Sequence, residues 1–250
     1  MYEPFESLVK ERRIMRTIIW YSYFWMYMFC SIFMYIPVIF LSLFQLKAWR
    51  NRYIQMIVGN WARSLIWLAG GTITINGSEN LPHTQHVCYV ANHQGNFDIP
   101  IMIGFLPGPI GFMAKKELVY MPIVNLWMLG IGCVFINREN RRASVDSINR
   151  GIENIKAGNP MVIFPEGTRS QGPEPNVFRP GSLKLATRSE AVIVPVTISG
   201  SYKLKELHKK FHPGQVDVTI HQPITPEDYQ DLNSKDLSKR LSDTITEALP

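Results

Sequence analysis

With 250 residues, 46% of them apolar, the chain is long enough for one well-buried domain and an additional element. Its formal charge of +6 calls for an anionic partner: nucleic acid, a membrane surface, or a phosphorylated or CoA-like substrate. The three cysteines, Cys30, Cys88 and Cys133, form no C-x-x-C pair, which argues against a disulfide framework or a zinc site. Each is expected to be a small buried hydrophobe.

From Thr17 to Leu46 no residue is charged. A helix of that length would extend roughly 45 Å, against a bilayer core of about 30 Å, and it lacks the small-residue site of a cleaved signal peptide. Trp20, Tyr21, Tyr23, Phe24, Trp25, Tyr27 and Phe29 crowd its first half, as expected at a membrane interface, and Pro37 should kink or end the helix. Lys10, Arg12, Arg13 and Arg16 precede the run; Lys47, Arg50, Arg52 and Arg63 follow it. Because positive charge marks the cytoplasmic side, basic flanks at both ends favour a re-entrant element over a single span. The next helix, from Gln45 to Ala69, sets Trp49, Tyr53, Ile57, Trp61 and Leu65 four apart, with arginines on the remaining surface. That pattern fits an in-plane interfacial helix, or an amphipathic helix packed on the domain. Residues 1–69 are thus expected to anchor the protein on the cytoplasmic face of the cell membrane.

After Gly70-Gly71 the period changes, and residues 70–250 read as one domain. Strands are expected at Thr72–Ile75, Val87–Ala91, Ile110–Met113, Cys133–Ile136, Met161–Phe164, Val192–Ile198 and Val216–Ile220. Between and after them come helices starting near Asp98, over Arg142–Ala157 and over Ser234–Leu249. This alternation predicts an α/β fold, a mixed central sheet flanked by helices. Gln171–Asn176, rich in Pro and Gly, reads as a mobile loop.

Chemistry concentrates where strands end. NHQGNFD, from Asn92 to Asp98, places His93 and Asp98 between a strand and a helix, where a carboxylate could orient an imidazole acting as base. Asp98 could instead cap the helix that Pro100 begins. A second His-x4-Asp, His212 with Asp217, falls in a turn and a strand and reads as coincidence. FPEGTRS, from Phe164 to Ser170, offers turn amides and the planar fork of Arg169 to an anion. FINREN adds Arg138 and AKKEL adds Lys115, so three cations leave strand ends that could converge on one face.

The order His-x4-Asp, AKKEL, FINREN, FPEGTRS and IVPVTISG (Ile193 to Gly200) resembles the 1-acylglycerol-3-phosphate acyltransferase family, with Phe178-Arg179-Pro180-Gly181 following as its FxxG element. The resemblance implies the glycerolipid acyltransferase fold, carried on the membrane by an N-terminal helical anchor. It implies acyl transfer from acyl-CoA or acyl carrier protein to lysophosphatidic acid, giving phosphatidic acid with no cofactor and no metal. It also implies His93 as base and Asp98 as its orienter. Lys115, Arg138, Glu166, Gly167, Thr168 and Arg169 then form the substrate phosphate site, Glu166 and Gly167 shaping its loop. Glycerol 3-phosphate or another lysophospholipid is the alternative acceptor. A lipid-ester hydrolase would want a G-x-S-x-G elbow, which is absent. Membrane lipid accounts for the basic excess beside the apolar run more simply than nucleic acid does.

Overall fold

The computed structural model describes residues 3–137 and 139–250, with side chains from residue 11 onward except at 141. Three helices come first: α1 (Glu3–Met34), α2 (Ile36–Leu43) and α3 (Lys47–Ala69). Tyr35 separates α1 from α2, whose first turn holds Pro37, as expected of a residue that cannot continue the helix before it. α1 and α3 pack as an antiparallel hairpin. The Trp20 indole donates to Leu65 O at 2.9 Å, Tyr23 Oη lies 2.7 Å from Ser64 Oγ, and Tyr53 Oη donates to Met34 O at 3.0 Å.

These contacts revise one expectation and decide between two others. The polar tips of Trp20, Tyr23 and Tyr27 turn toward α3, because backbone and hydroxyl partners there satisfy them. The α3 face carrying Tyr53, Ile57, Trp61 and Leu65 packs inward rather than lying against lipid, joined by buried Ile54, Val58, Ala62 and Ile66. What remains outside is a band running through Ile18, Trp25, Phe29, Phe33, Phe40, Phe44 and Trp49. Cys30 lies exposed on the same helix, unlike buried Cys88 and Cys133. A patch of this extent marks a membrane or partner surface, and the segment Glu11–Leu43 is long and apolar enough to cross a membrane, with little of it buried.

The hairpin leads through Gly70, left-handed at φ 85°, into the α/β part. In chain order this comprises β1 (Gly71–Asn76), β2 (Val87–Ala91), α4 (Asp98–Phe105), β3 (Gly111–Lys115), α5 (Val124–Gly130), β4 (Val134–Ile136), α6 (Arg141–Lys156) and β5 (Met161–Ile163). α7 (Lys184–Ser189), β6 (Val192–Ser199), β7 (Gly214–Ile220), α8 (Pro226–Tyr229) and α9 (Ser234–Glu247) complete it. All seven expected strands form. α6 starts where the Asn140 side chain accepts from Ala143 N, and its apolar face buries Ile152 and Ile155.

The strands make one mixed sheet in the order β1-β7-β6-β2-β5-β3-β4. β6 and β7 pair antiparallel, and the other neighbours pair parallel. β2 lies inside the sheet and is buried on both faces, so it reads as an unbroken apolar run. Val87, Tyr89 and Ala91 join the core under the hairpin and α4, while Cys88 and Val90 join the one under α6, α7 and α9. The parallel block β2, β5, β3, β4 sends its C-terminal ends to one edge, where the site is built.

Candidate active site

β2 ends at Ala91, and the chain turns through NHQGNFD before α4 begins. Asn92, fully buried, ties the turn to the neighbouring strand: its amide nitrogen donates to Ile198 O, and its oxygen accepts from Ile198 N at 2.7 Å. His93 Nδ1 lies 2.7 Å from Asp98 Oδ2, with the imidazole 14% exposed and the carboxylate fully buried. The capping alternative for Asp98 is not realised. Phe97 holds the N-cap position, and the Asp98 oxygens are engaged by His93, by the Gly95 amide at 2.8 Å and by the Ser201 hydroxyl. The imidazole also stacks on Phe164, centroids 4.1 Å apart and planes within 15°. Clamped by a carboxylate and a ring, it presents Nε2 as its remaining functional atom. Such a group can accept a proton from a hydroxyl held beside it.

The FPEGTRS turn leaves β5 alongside. Glu166 is buried and accepts the backbone N–H of His93 at 2.6 Å through Oε1 and that of Asn176 at 2.7 Å through Oε2. Burial pushes its carboxyl above the ordinary value, while the two amides pull it back. Glu166 therefore shapes the loop from behind. Gly167 takes φ +72°, and the Arg179 guanidinium stands against its Cα. The 171–176 stretch is tied down: Gln171 N donates to Gln94 O at 3.1 Å, and the Gln94 side chain donates to Pro173 O at 3.1 Å. Arg169 donates to the side-chain oxygen of Asn96 and lies 3.6 Å from Glu206.

A cavity of about 970 Å³ opens beside these groups. His93, Asn96, Lys115, Gly167, Thr168, Arg169 and Arg179 line its polar side. Its apolar walls come from the hairpin (Tyr27, Ile57, Trp61), from α5 (Trp127, Met128) and from strand residues such as Phe112. A polar end with cations and a long apolar remainder suits an amphiphile with an anionic head. Among the described residues, no three His, Cys, Asp or Glu side chains gather as metal ligands.

The structure thus brings His93, Asp98, Gly167, Thr168 and Arg169 together. Lys115 lines the same cavity from its rim, 70% exposed and 3.6 Å from Glu117. Arg138 lies outside the described residues. His212 and Asp217 turn to separate partners, Pro213 O and the Gln215 amide. Sequence reasoning missed Ser201 and Glu206, which reach the NHQGNFD turn from beyond β6, and it named Arg179 only as part of a motif. The arginine of that FRPG segment, a further cation within the run of motifs, was the available signal.

An oriented imidazole, an arginine-bearing turn and a lipid-sized cavity at one edge of an α/β sheet define an acyltransferase-type site, and residues 72–199 match the family model described as Acyltransferase. The chain is 31% identical over 185 residues to 1-acyl-sn-glycerol-3-phosphate acyltransferase of Borreliella burgdorferi, covering 74% of each chain. It is 30% identical to the Saccharomyces cerevisiae enzyme of that name over 73% of this chain and 61% of the yeast one. The crystal structure of PlsC, the 1-acyl-sn-glycerophosphate acyltransferase of Thermotoga maritima, superposes with a TM-score of 0.81 at 28% identity, covering 96% of this chain and 97% of that one. The chain belongs to the 1-acyl-sn-glycerol-3-phosphate acyltransferase family.

Proposed function

We propose that the protein transfers a fatty acyl group from acyl-CoA or acyl carrier protein to the sn-2 hydroxyl of 1-acylglycerol 3-phosphate, giving phosphatidic acid at a membrane. The observation that carries this is the position of His93, oriented by Asp98, in the wall of a cavity whose polar end holds Arg169 and whose apolar part reaches the hairpin. With Nδ1–H donated to Asp98, Nε2 of the neutral ring accepts the acceptor's hydroxyl proton as the oxygen attacks the thioester carbonyl. The tetrahedral intermediate collapses, the C–S bond breaks, and the imidazolium returns the proton to the departing thiolate. The Asp98 carboxylate stabilises the imidazolium between those steps.

Arg169, the backbone of Gly167 and Thr168, and Lys115 hold the acceptor phosphate, so that its hydroxyl lies near His93. Arg138 belongs with this group by its place in the motif order. Glu166 contributes by fixing the loop. Residues 1–69 anchor residues 70–250, with the exposed band of α1, α2 and the start of α3 in the bilayer and the basic flanks toward the cytoplasmic face of the cell membrane.

The direct test supplies purified protein in lipid with acyl-CoA or acyl-loaded carrier protein and three acceptors: lysophosphatidic acid, glycerol 3-phosphate and lysophosphatidylcholine. Phosphatidic acid formed from the first at far higher kcat/KM than either alternative product is the expected outcome. Equal or better use of glycerol 3-phosphate would move the activity to the other acceptor.

A further inference from the structure

Glu206 lies outside every motif considered above, in the short segment after β6, yet it touches two of them. Its Oε1 accepts the backbone N–H of Asn96 at 2.8 Å and lies 3.6 Å from Arg169 Nη1. The same Nη1 donates to the Asn96 side-chain oxygen, so the guanidinium is gripped by the turn and by the carboxylate behind it. The adjacent amide, Gly95 N–H, goes to Asp98. Two carboxylates from different parts of the chain therefore pin consecutive amides of the turn that carries His93.

The Glu206 side chain is only 4% exposed, and its Oε2 finds no hydrogen-bond donor among the described residues. Burial pushes its carboxyl up, Asp98 pushes the same way, and the Asn96 amide and Arg169 pull it down. Burying such a group without function is costly. The packing around it is equally specific. A Cβ at Gly95 would stand 2.6 Å from Glu206 Oε2, so the glycine leaves the space that the carboxylate fills.

We infer that Glu206 is a positioning residue for acyl transfer, setting Arg169 at the distance from His93 that the acceptor's phosphate and hydroxyl require. This rests on the assignment of Arg169 to the phosphate given above. An arginine has five N–H donors. Holding Nη1 from behind orients the guanidinium and leaves its other donors for the phosphate. Glu206 acts through Arg169 and the turn; it does not line the cavity itself.

The test is a double-mutant cycle on the full chain in lipid, measuring kcat and KM for lysophosphatidic acid at saturating acyl-CoA. Glu206→Gln, which can still accept from the Asn96 amide, should raise KM roughly fivefold, the scale of a partly exposed ion pair, with kcat within about twofold. In an Arg169→Ala background the same change should add nothing further. Glu206→Asp, which keeps the charge but withdraws it, should give an intermediate KM and serves if the glutamine variant does not fold. An unchanged KM in Glu206→Gln, or effects that multiply with those of Arg169→Ala, would overturn the inference while leaving the phosphate assignment intact. If Arg169→Ala alone leaves KM unaltered, the phosphate assignment itself has failed, and the inference with it.

Discussion

Glu166 and His93 are joined through the main chain: the glutamate Oε1 accepts the histidine's backbone N–H at 2.6 Å, while its other oxygen holds Asn176 N. The FPEGTRS turn and the histidine turn are thus one unit. The carboxyl is raised above its ordinary 4.5, chiefly by burial. A raised carboxyl binds its proton more tightly in the folded state, so its contribution to stability is fully present below about 4.5 and is lost as pH climbs through the folded value. Glu166→Gln removes that loss but can satisfy only one of the two amides through its oxygen. Thermal unfolding of variant and wild type between about pH 4 and pH 7 should show the variant less stable throughout, with the deficit shrinking as pH rises. A deficit that grows with pH would contradict the assigned direction.

Gly167 marks the tightest point of that turn. At φ +72° an added Cβ is strained whatever its surroundings, and here it would also come within 3.3 Å of the Arg179 guanidinium. Gly167→Ala should cost about 1–2 kcal/mol of stability. It should also raise KM for lysophosphatidic acid, because the shifted backbone carries Thr168 and Arg169 with it. A variant with the wild-type unfolding temperature and KM would show that the turn tolerates another conformation.

The hairpin's outer surface gives a different kind of expectation. Trp25 and Trp49 are 50% and 65% exposed within the apolar band, while Trp127 is buried and donates to Ser31 Oγ at 2.9 Å. In bilayers containing lipids brominated along the acyl chain, tryptophan emission should be strongly quenched. Trp25→Phe combined with Trp49→Phe should remove much of the quenchable signal, whereas Trp127→Phe should remove little. Equal quenching loss from both variants would place the band away from lipid.

Much of the fold was legible because its signals are local. Most strands are short apolar runs with β-branched residues, bounded by turn residues, and α6 repeats its apolar face every three or four positions. α5 was not legible: VNLWMLG is too short and too uniformly apolar to show a period. Nor could local pattern show that Trp20 bonds to Leu65, turning aromatic rings inward that composition alone assigns to an interface. The site divides the same way. His93, Asp98 and Arg169 announce themselves through residue type at strand ends. Ser201 and Glu206 sit 103 and 110 positions from the atoms they hold, and only the pairing of β6 with β2 brings them there.

The most direct test of the account is single-turnover and steady-state kinetics of His93→Ala in lipid bilayers, with lysophosphatidic acid saturating. Loss of the general base predicts a fall in kcat of about 10²–10⁴ with KM for lysophosphatidic acid little changed. Asp98→Asn should fall in the same direction, since it removes the carboxylate that orients and stabilises the ring. Wild-type turnover in His93→Ala would contradict the account, because among the described residues no other imidazole lines the cavity.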